Sequence, residues 1–253
     1  NDFMCSLRAP AEPTNNHGVI VHTDAAIGGD DITVTGTGGG FEDGKFSHGV
    51  HLAQAGSISG GTLAVQGTGG DGGGDDNYGV MLHGANSQIT STGSGNVNVT
   101  GTGGNGSGDH NYGVRLHGVN SQLTSSGGDV TVTGQGGGTG VSSDNIGVVV
   151  SGAIRVAAGG NGTTQLNGTG GLTGGSSNIG ISIWNENTIV TSADGDVILN
   201  GQGGGTGESN DNVGVSFYDG GQVATTSGKL NIIGTGGATT GNNNHGVALH
   251  EVG

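Results

Sequence analysis

The sequence predicts an all-β chain: a right-handed parallel β-solenoid (β-helix) of about seven coils of ~33 residues, each with three short strands. Three observations predict it. One stretch, cleanest as NYGVRLHG at residues 111–118, returns eight times, centred on Gly18, Gly49, Gly79, Gly113, Gly147, Gly180, Gly214 and Gly246, in steps of 31, 30, 34, 34, 33, 34 and 32 residues. Apolar residues alternate with others in each repeat, the pattern of a strand facing a core on one side. Gly makes up 63 of the 253 residues against only 2 Pro. That excludes collagen and helical repeats, and stacked coils sharing a core are what offset so costly a glycine content.

Residues 1–14 stand outside the repeat and hold both prolines, the single Cys5 and an apolar patch of Phe3, Met4 and Leu7. Residues 15–253 read as the solenoid: seven full repeats and the first strand of an eighth.

The first element of each repeat follows the marker glycine. One column reads Val19, Val50, Val80, Val114, Val148, Ile181, Val215, Val247; two residues on it reads Val21, Leu52, Leu82, Leu116, Val150, Ile183, Phe217, Leu249. The column between them is mixed and is expected to face outward. The second element is shorter, centred on Ile27, Ile58, Ile89, Leu123, Ile154, Ile189 and Val223. The third alternates again, through Ile32, Leu63, Val97, Val130, Thr164, Val197, Leu230 and then Val34, Val65, Val99, Val132, Leu166, Leu199, Ile232. A glycine corner and a loop of variable length lead to the next marker. The position two before each marker is Asn in seven of eight copies, Ser47 being the exception. Its amide is expected to pair with the same amide one coil away, an Asn ladder at a tight turn.

Charge narrows the function classes. Five Lys and Arg face 20 Asp and Glu, a net charge of −15. The basic residues are scattered singly, so no nucleic-acid footprint exists. No run of 18 apolar residues is present, so no membrane span is expected. One cysteine makes no internal disulfide. No outward column gathers two carboxylates in neighbouring repeats and no nucleophile motif appears, so the chain is not expected to be an enzyme; a polysaccharide-active solenoid is the third reading.

Two sets of side chains stand out as candidate sites. His83, His117, Trp184, Tyr218 and His250 share one outward column with His22, a contact stripe for a sugar ring or a partner surface. Asp71, Asp75, Asp76 and Asp109 sit in Gly- and Asp-rich loops and are the candidate Ca2+ ligands, although the tandem nine-residue period of calcium β-rolls is missing. No cofactor is otherwise called for.

The repeats ITSTGSGNVNVTGTGGNGSGDHNYGVRLHG and QLTSSGGDVTVTGQGGGTGVSSDNIGVVV resemble those of giant bacterial β-strand-repeat surface proteins, similar to filamentous haemagglutinins and autotransporter passengers. The resemblance covers residues 15–250. It implies a secreted or surface-displayed adhesive or structural protein. Head-to-tail stacking into a fibre is the expectation that follows, with Phe3, Met4 and Leu7 of one subunit clamping the unfinished coil around Val247 and Leu249 of the next. The alternative is an adhesin stalk contacting glycans or cell surfaces.

Overall fold

The computed structural model describes residues 3–8, 14–40 and 42–250. All its regular structure is strand. β1 (Phe3–Arg8) precedes the coils. The first two coils hold β2 (Val19–His22) with β3 (Ala26–Thr37), and β4 (Val50–Ala53) with β5 (Ser57–Thr68). The third holds β6 (Val80–His83), β7 (Gln88–Ser91) and β8 (Val97–Thr102); the fourth β9 (Val114–His117), β10 (Gln122–Thr124) and β11 (Val130–Gln135). The fifth holds β12 (Val148–Ser151), β13 (Arg155–Ala158) and β14 (Thr164–Thr169); the sixth β15 (Ile181–Trp184), β16 (Ile189–Ser192) and β17 (Val197–Gln202). The seventh holds β18 (Val215–Tyr218), β19 (Gln222–Thr225) and β20 (Leu230–Thr235), and β21 (Val247–Leu249) opens the eighth.

Every strand pairs in parallel with its counterpart one coil away. The eight short strands after the marker glycines form one sheet, β2-β4-β6-β9-β12-β15-β18-β21, and the other thirteen form the second. The coils stack as a β-solenoid whose interior is the apolar rows read from the sequence: Val50, Leu52, Leu63, Val65, Val114, Leu116, Val148, Val150, Leu166 and Leu199 are all fully enclosed. Even the polar member fits. Thr164 lies inside, where its hydroxyl donates to the Thr191 carbonyl at 2.6 Å and accepts the Ala158 N–H at 2.8 Å.

Two details depart from the sequence reading. In the first two coils the second and third elements are continuous 12-residue strands rather than two short ones. Only five positions separate Ile27 from Ile32 and Ile58 from Leu63, whereas eight separate Ile89 from Val97, room for a turn through Gly93 at φ 59°. The second element also carries a correction. The ladder runs Leu123 to Val156 to Val190 to Val223, so Ile154 and Ile189 are not in the column assigned to them. Ile154 lies two residues earlier and is still buried. Ile189 pairs with Arg155 and Gln222 on the outer side. Ile189 and Val190 are adjacent apolar residues, so the alternation has no marked parity there, and a one-residue slip exchanges faces.

At the amino-terminal end β1 pairs with β3 of its own chain, Phe3 opposite Ile32 and Leu7 opposite Gly36. The side chains of Phe3, Met4, Cys5 and Leu7, with the remainder of the segment expected to act as a clamp, lie outside the described residues. At the other end Leu230, Val247 and Leu249 are exposed, and with Phe217, Val223 and Ile232 they line an apolar hollow of about 570 Å³. No helix of the described residues is long and apolar enough to cross a membrane.

Candidate functional site on the outer face of the short-strand sheet

The marker stretch builds more than a strand. The residue three before each marker glycine is left-handed in all eight copies: Asn15, Phe46, Asp76, His110, Asp144, Ser177, Asp211 and Asn243 have φ between 55° and 64°. Most of these are residue types that adopt this turn readily. The turn swings the following Asn into the interior and lays the residue just before the glycine over the outside of the strands. That row is His17, His48, Tyr78, Tyr112, Ile146, Ile179, Val213 and His245.

Its effect is a correction to the sequence reading. The mixed column expected to face solvent is largely covered: Met81, Val149, Ser182, Ser216 and Ala248 are buried, in part by this row. Ile146, Val149, Ile179, Val213 and Ala248 form a second apolar cluster, with Tyr112 and Trp184 packed against it. The signal was present in the sequence, because the row is apolar or aromatic in every copy, but it lies outside the alternating register.

In coils one to four the row is a ring stack. His17 lies on His48 at 4.9 Å, His48 on Tyr78 at 4.7 Å, and Tyr78 on Tyr112 at 4.9 Å between centroids. Arg115 reaches across this stack. Its guanidinium sits 5.5 Å from the Tyr78 ring centre and donates to the Tyr78 hydroxyl at 2.8 Å, while its Nε is buried without a partner. Burial pushes the Tyr78 and Tyr112 phenols well above their ordinary range, with Arg115 opposing.

His51, from the covered column, closes onto the stack. It stands edge-on to His17 and His48, at 4.7 Å and 5.1 Å between ring centres. One ring nitrogen from each of the three lies within 4.8 Å of the others; this is the one such convergent group of three or more His, Cys, Asp or Glu among the described residues. Burial lowers His17 to about 4 and His51 to about 3, and holds His48 well below the ordinary imidazole range. All three are therefore neutral at pH 7.

Beyond Arg115 the face forms a groove of about 300 Å³. Val149 and Ser182 lie along it, Ile146 and Ile179 on one side, Trp184, Tyr218 and Asp219 on the other, and Arg115 and Asp144 near one end. Burial raises Asp144 above the ordinary carboxylate range; His110 counters this and Asp109 adds to it.

The stripe expected from the sequence is two patches. His83 stacks on His117 at 5.5 Å, and His117 meets the Ser151 hydroxyl at 3.0 Å. Trp184 pairs in register with Tyr218, which stacks on His250 at 4.3 Å. Ser151, fully buried, separates the two. Among the candidate Ca2+ ligands, Asp71, Asp75 and Asp109 take part in a ladder between coils, while Asp76 bonds within its own coil. Asp71 accepts the Asn105 N–H at 3.1 Å, Asp75 the Asp109 N–H at 2.9 Å, Asp109 the Ser143 N–H at 2.7 Å, and Asp76 the Tyr78 hydroxyl at 2.5 Å. They form no group of three converging ligands. No family model, curated protein or solved structure matches the chain.

Proposed function

We propose that this chain is an extracellular structural protein, the subunit of a fibre or matrix in which β-solenoid coils stack head to tail. The carrying observation is the unbroken register: the row from Val19 through Val50, Val80, Val114, Val148, Ile181 and Val215 to Val247 runs through all eight coils without a slip. A coil in that register presents the same edge to whatever lies above it. Among the described residues Leu230, Val247 and Leu249 are exposed at the last coil, and no further strand pairs with β19, β20 or β21. Exposed parallel edges of this kind template a further strand, and a heterologous contact that does not close propagates as a filament. In this reading the occupant is β2 and the β1–β3 side of a second copy.

Negative-stain electron microscopy over a concentration series tests it. Long uniform fibres are expected from the 253-residue chain, and single short rods from the doubly charged Leu230→Asp/Leu249→Asp variant. Short rods from the unaltered chain at every concentration would overturn the proposal.

A second reading is favoured by the groove. Its Trp184 and Tyr218 rings suit the C–H face of a sugar ring, and Arg115, Asp144 and Ser182 suit its hydroxyls. An adhesin stalk would use it in this way. Trp184 is the single tryptophan, so its fluorescence reports occupancy directly; glycan binding lost in Trp184→Ala supports this reading, and an unresponsive array removes it.

A further inference from the structure

We propose that His17, His48 and His51 form a binding site for a divalent transition-metal ion of borderline softness, zinc foremost. The site is independent of the fibre and adhesin readings.

Geometry carries the argument. His17 Nε2 and His51 Nδ1 are 3.4 Å apart. Two ligands of a tetrahedral zinc ion, each with a Zn–N bond of about 2.0–2.1 Å, are separated by about 3.3 Å. The pair therefore already spans one edge of a zinc tetrahedron. A His48 nitrogen lies within 4.8 Å of both. The His17 and His48 rings are stacked only 20° from parallel, and a metal–nitrogen bond lies in the imidazole plane. Coordination therefore requires one of these rings to tilt out of the stack as well as to close a gap of about 1.5 Å. His51 stands edge-on to both other rings, at 67° and 87°. A fourth position would take water, as in a three-histidine site.

The chemistry agrees. Imidazole nitrogen is a ligand suited to ions of this kind. No carboxylate joins the trio, so the cluster favours borderline ions that accept nitrogen over calcium or magnesium. The net charge of −15 favours accumulation of a cation.

The empty cluster also fixes what binding must change. His17 Nδ1 accepts the His48 N–H and His48 Nδ1 accepts the Tyr78 N–H, each at 3.2 Å. Both rings therefore carry their proton on Nε2. Coordination through Nε2 moves that proton to Nδ1 and releases both backbone N–H groups. Both donors are buried, so their release is a cost that three metal–nitrogen bonds must outweigh. The exchange gives the site a signature that six other histidines scattered over the chain do not share.

The test is zinc titration of the full chain against a chromophoric chelator, with amide NMR in parallel. One tightly held zinc per chain is expected, with the His48 and Tyr78 amide resonances shifting on loading. His51→Asn and His17→Asn should each weaken zinc by at least about tenfold. His48→Tyr should do the same while keeping the ring stack, because Tyr occupies that row in the next two coils. Zinc affinity unchanged in these variants would overturn the proposal, as would loading that leaves the His48 and Tyr78 amides unmoved.

Discussion

Asn145 and Asn178, in successive coils, are joined twice through one oxygen. Asn178 Oδ1 accepts the Asn145 backbone N–H at 3.2 Å and the Asn145 side-chain amide at 3.0 Å. The relation repeats: Asn111 makes the same pair of contacts to Asn145, and Asn212 to Asn244. Asn77, Asn111, Asn145, Asn178 and Asn212 are fully buried. The turn before each marker glycine leaves a backbone N–H facing the interior, and a buried donor needs an acceptor. The amide one coil away supplies it, so the stacking of coils and the satisfaction of each turn are one event.

Removing one rung therefore orphans several donors. Asn178 Oδ1 also accepts the Thr173 hydroxyl at 3.2 Å. Asn178→Ala should cost about 3 kcal/mol, the range for leaving buried donors unpaired, and lower Tm by roughly 6–12 °C in a chain of this size. Asn178→Ser should cost less, because Ser47 holds this place in coil two and its hydroxyl accepts the Asn16 N–H at 3.3 Å. Urea titrations of the two variants check the order; equal losses would show that the oxygen is not what matters.

Glycine is required for different reasons at different positions. At Gly147 a Cβ would stand 2.6 Å from the Gly180 carbonyl oxygen and press on the backbone of Thr169, where the two sheets meet. Backbone on both sides cannot yield, so Gly147→Ala should cost more than about 4 kcal/mol and prevent soluble expression or uncouple the coils. At Gly140 nothing lies within 4 Å and only the left-handed φ of 62° favours glycine. Gly140→Ala should then cost about 1–2 kcal/mol. Circular dichroism melts of the two variants separate steric closure from backbone preference.

The solenoid was legible because the repeat supplied it many times over. Alternation read at Val114–His117 is the alternation read at Val148–Ser151, so eight weak signals fix one register. The Asn ladder was legible for the same reason. Legibility failed where a copy lost its contrast, as at Ile189 and Val190, where adjacent apolar residues leave the parity unmarked. It failed again at the candidate site. His17, His48 and His51 are spread over 35 residues and two rows, and one of those rows belongs to a turn rather than a strand. Alternation describes strands; it carries no information on a turn residue that folds back over the outer face. The same turn converts the column of Met81, Val149 and Ser182 from solvent-facing to covered.

The histidine trio sets a pH dependence whose sign follows from its burial. The folded values lie below the ordinary imidazole value, at about 4 for His17, about 3 for His51 and lower than usual for His48. The unfolded chain titrates near 6.5. Between these limits the unfolded state binds more protons, so stability falls as pH drops from about 6.5 toward 4 and is indifferent to these groups above 7. Each histidine contributes a slope of at most about 1.4 kcal/mol per pH unit, less for the partly exposed His17. For His48 burial is the largest cause, and the neighbouring His51, His17, Arg115 and His83 act in the same direction. Urea midpoints should therefore fall from pH 7 to pH 5 in the unaltered chain. The carboxylates are common to all variants. His48→Tyr should flatten the curve between pH 5 and 7, and His48→Tyr/His51→Asn should flatten it further. Curves that stay parallel to that of the unaltered chain would mean that the trio titrates in the folded chain as it does in the unfolded one, so that burial does not hold it neutral.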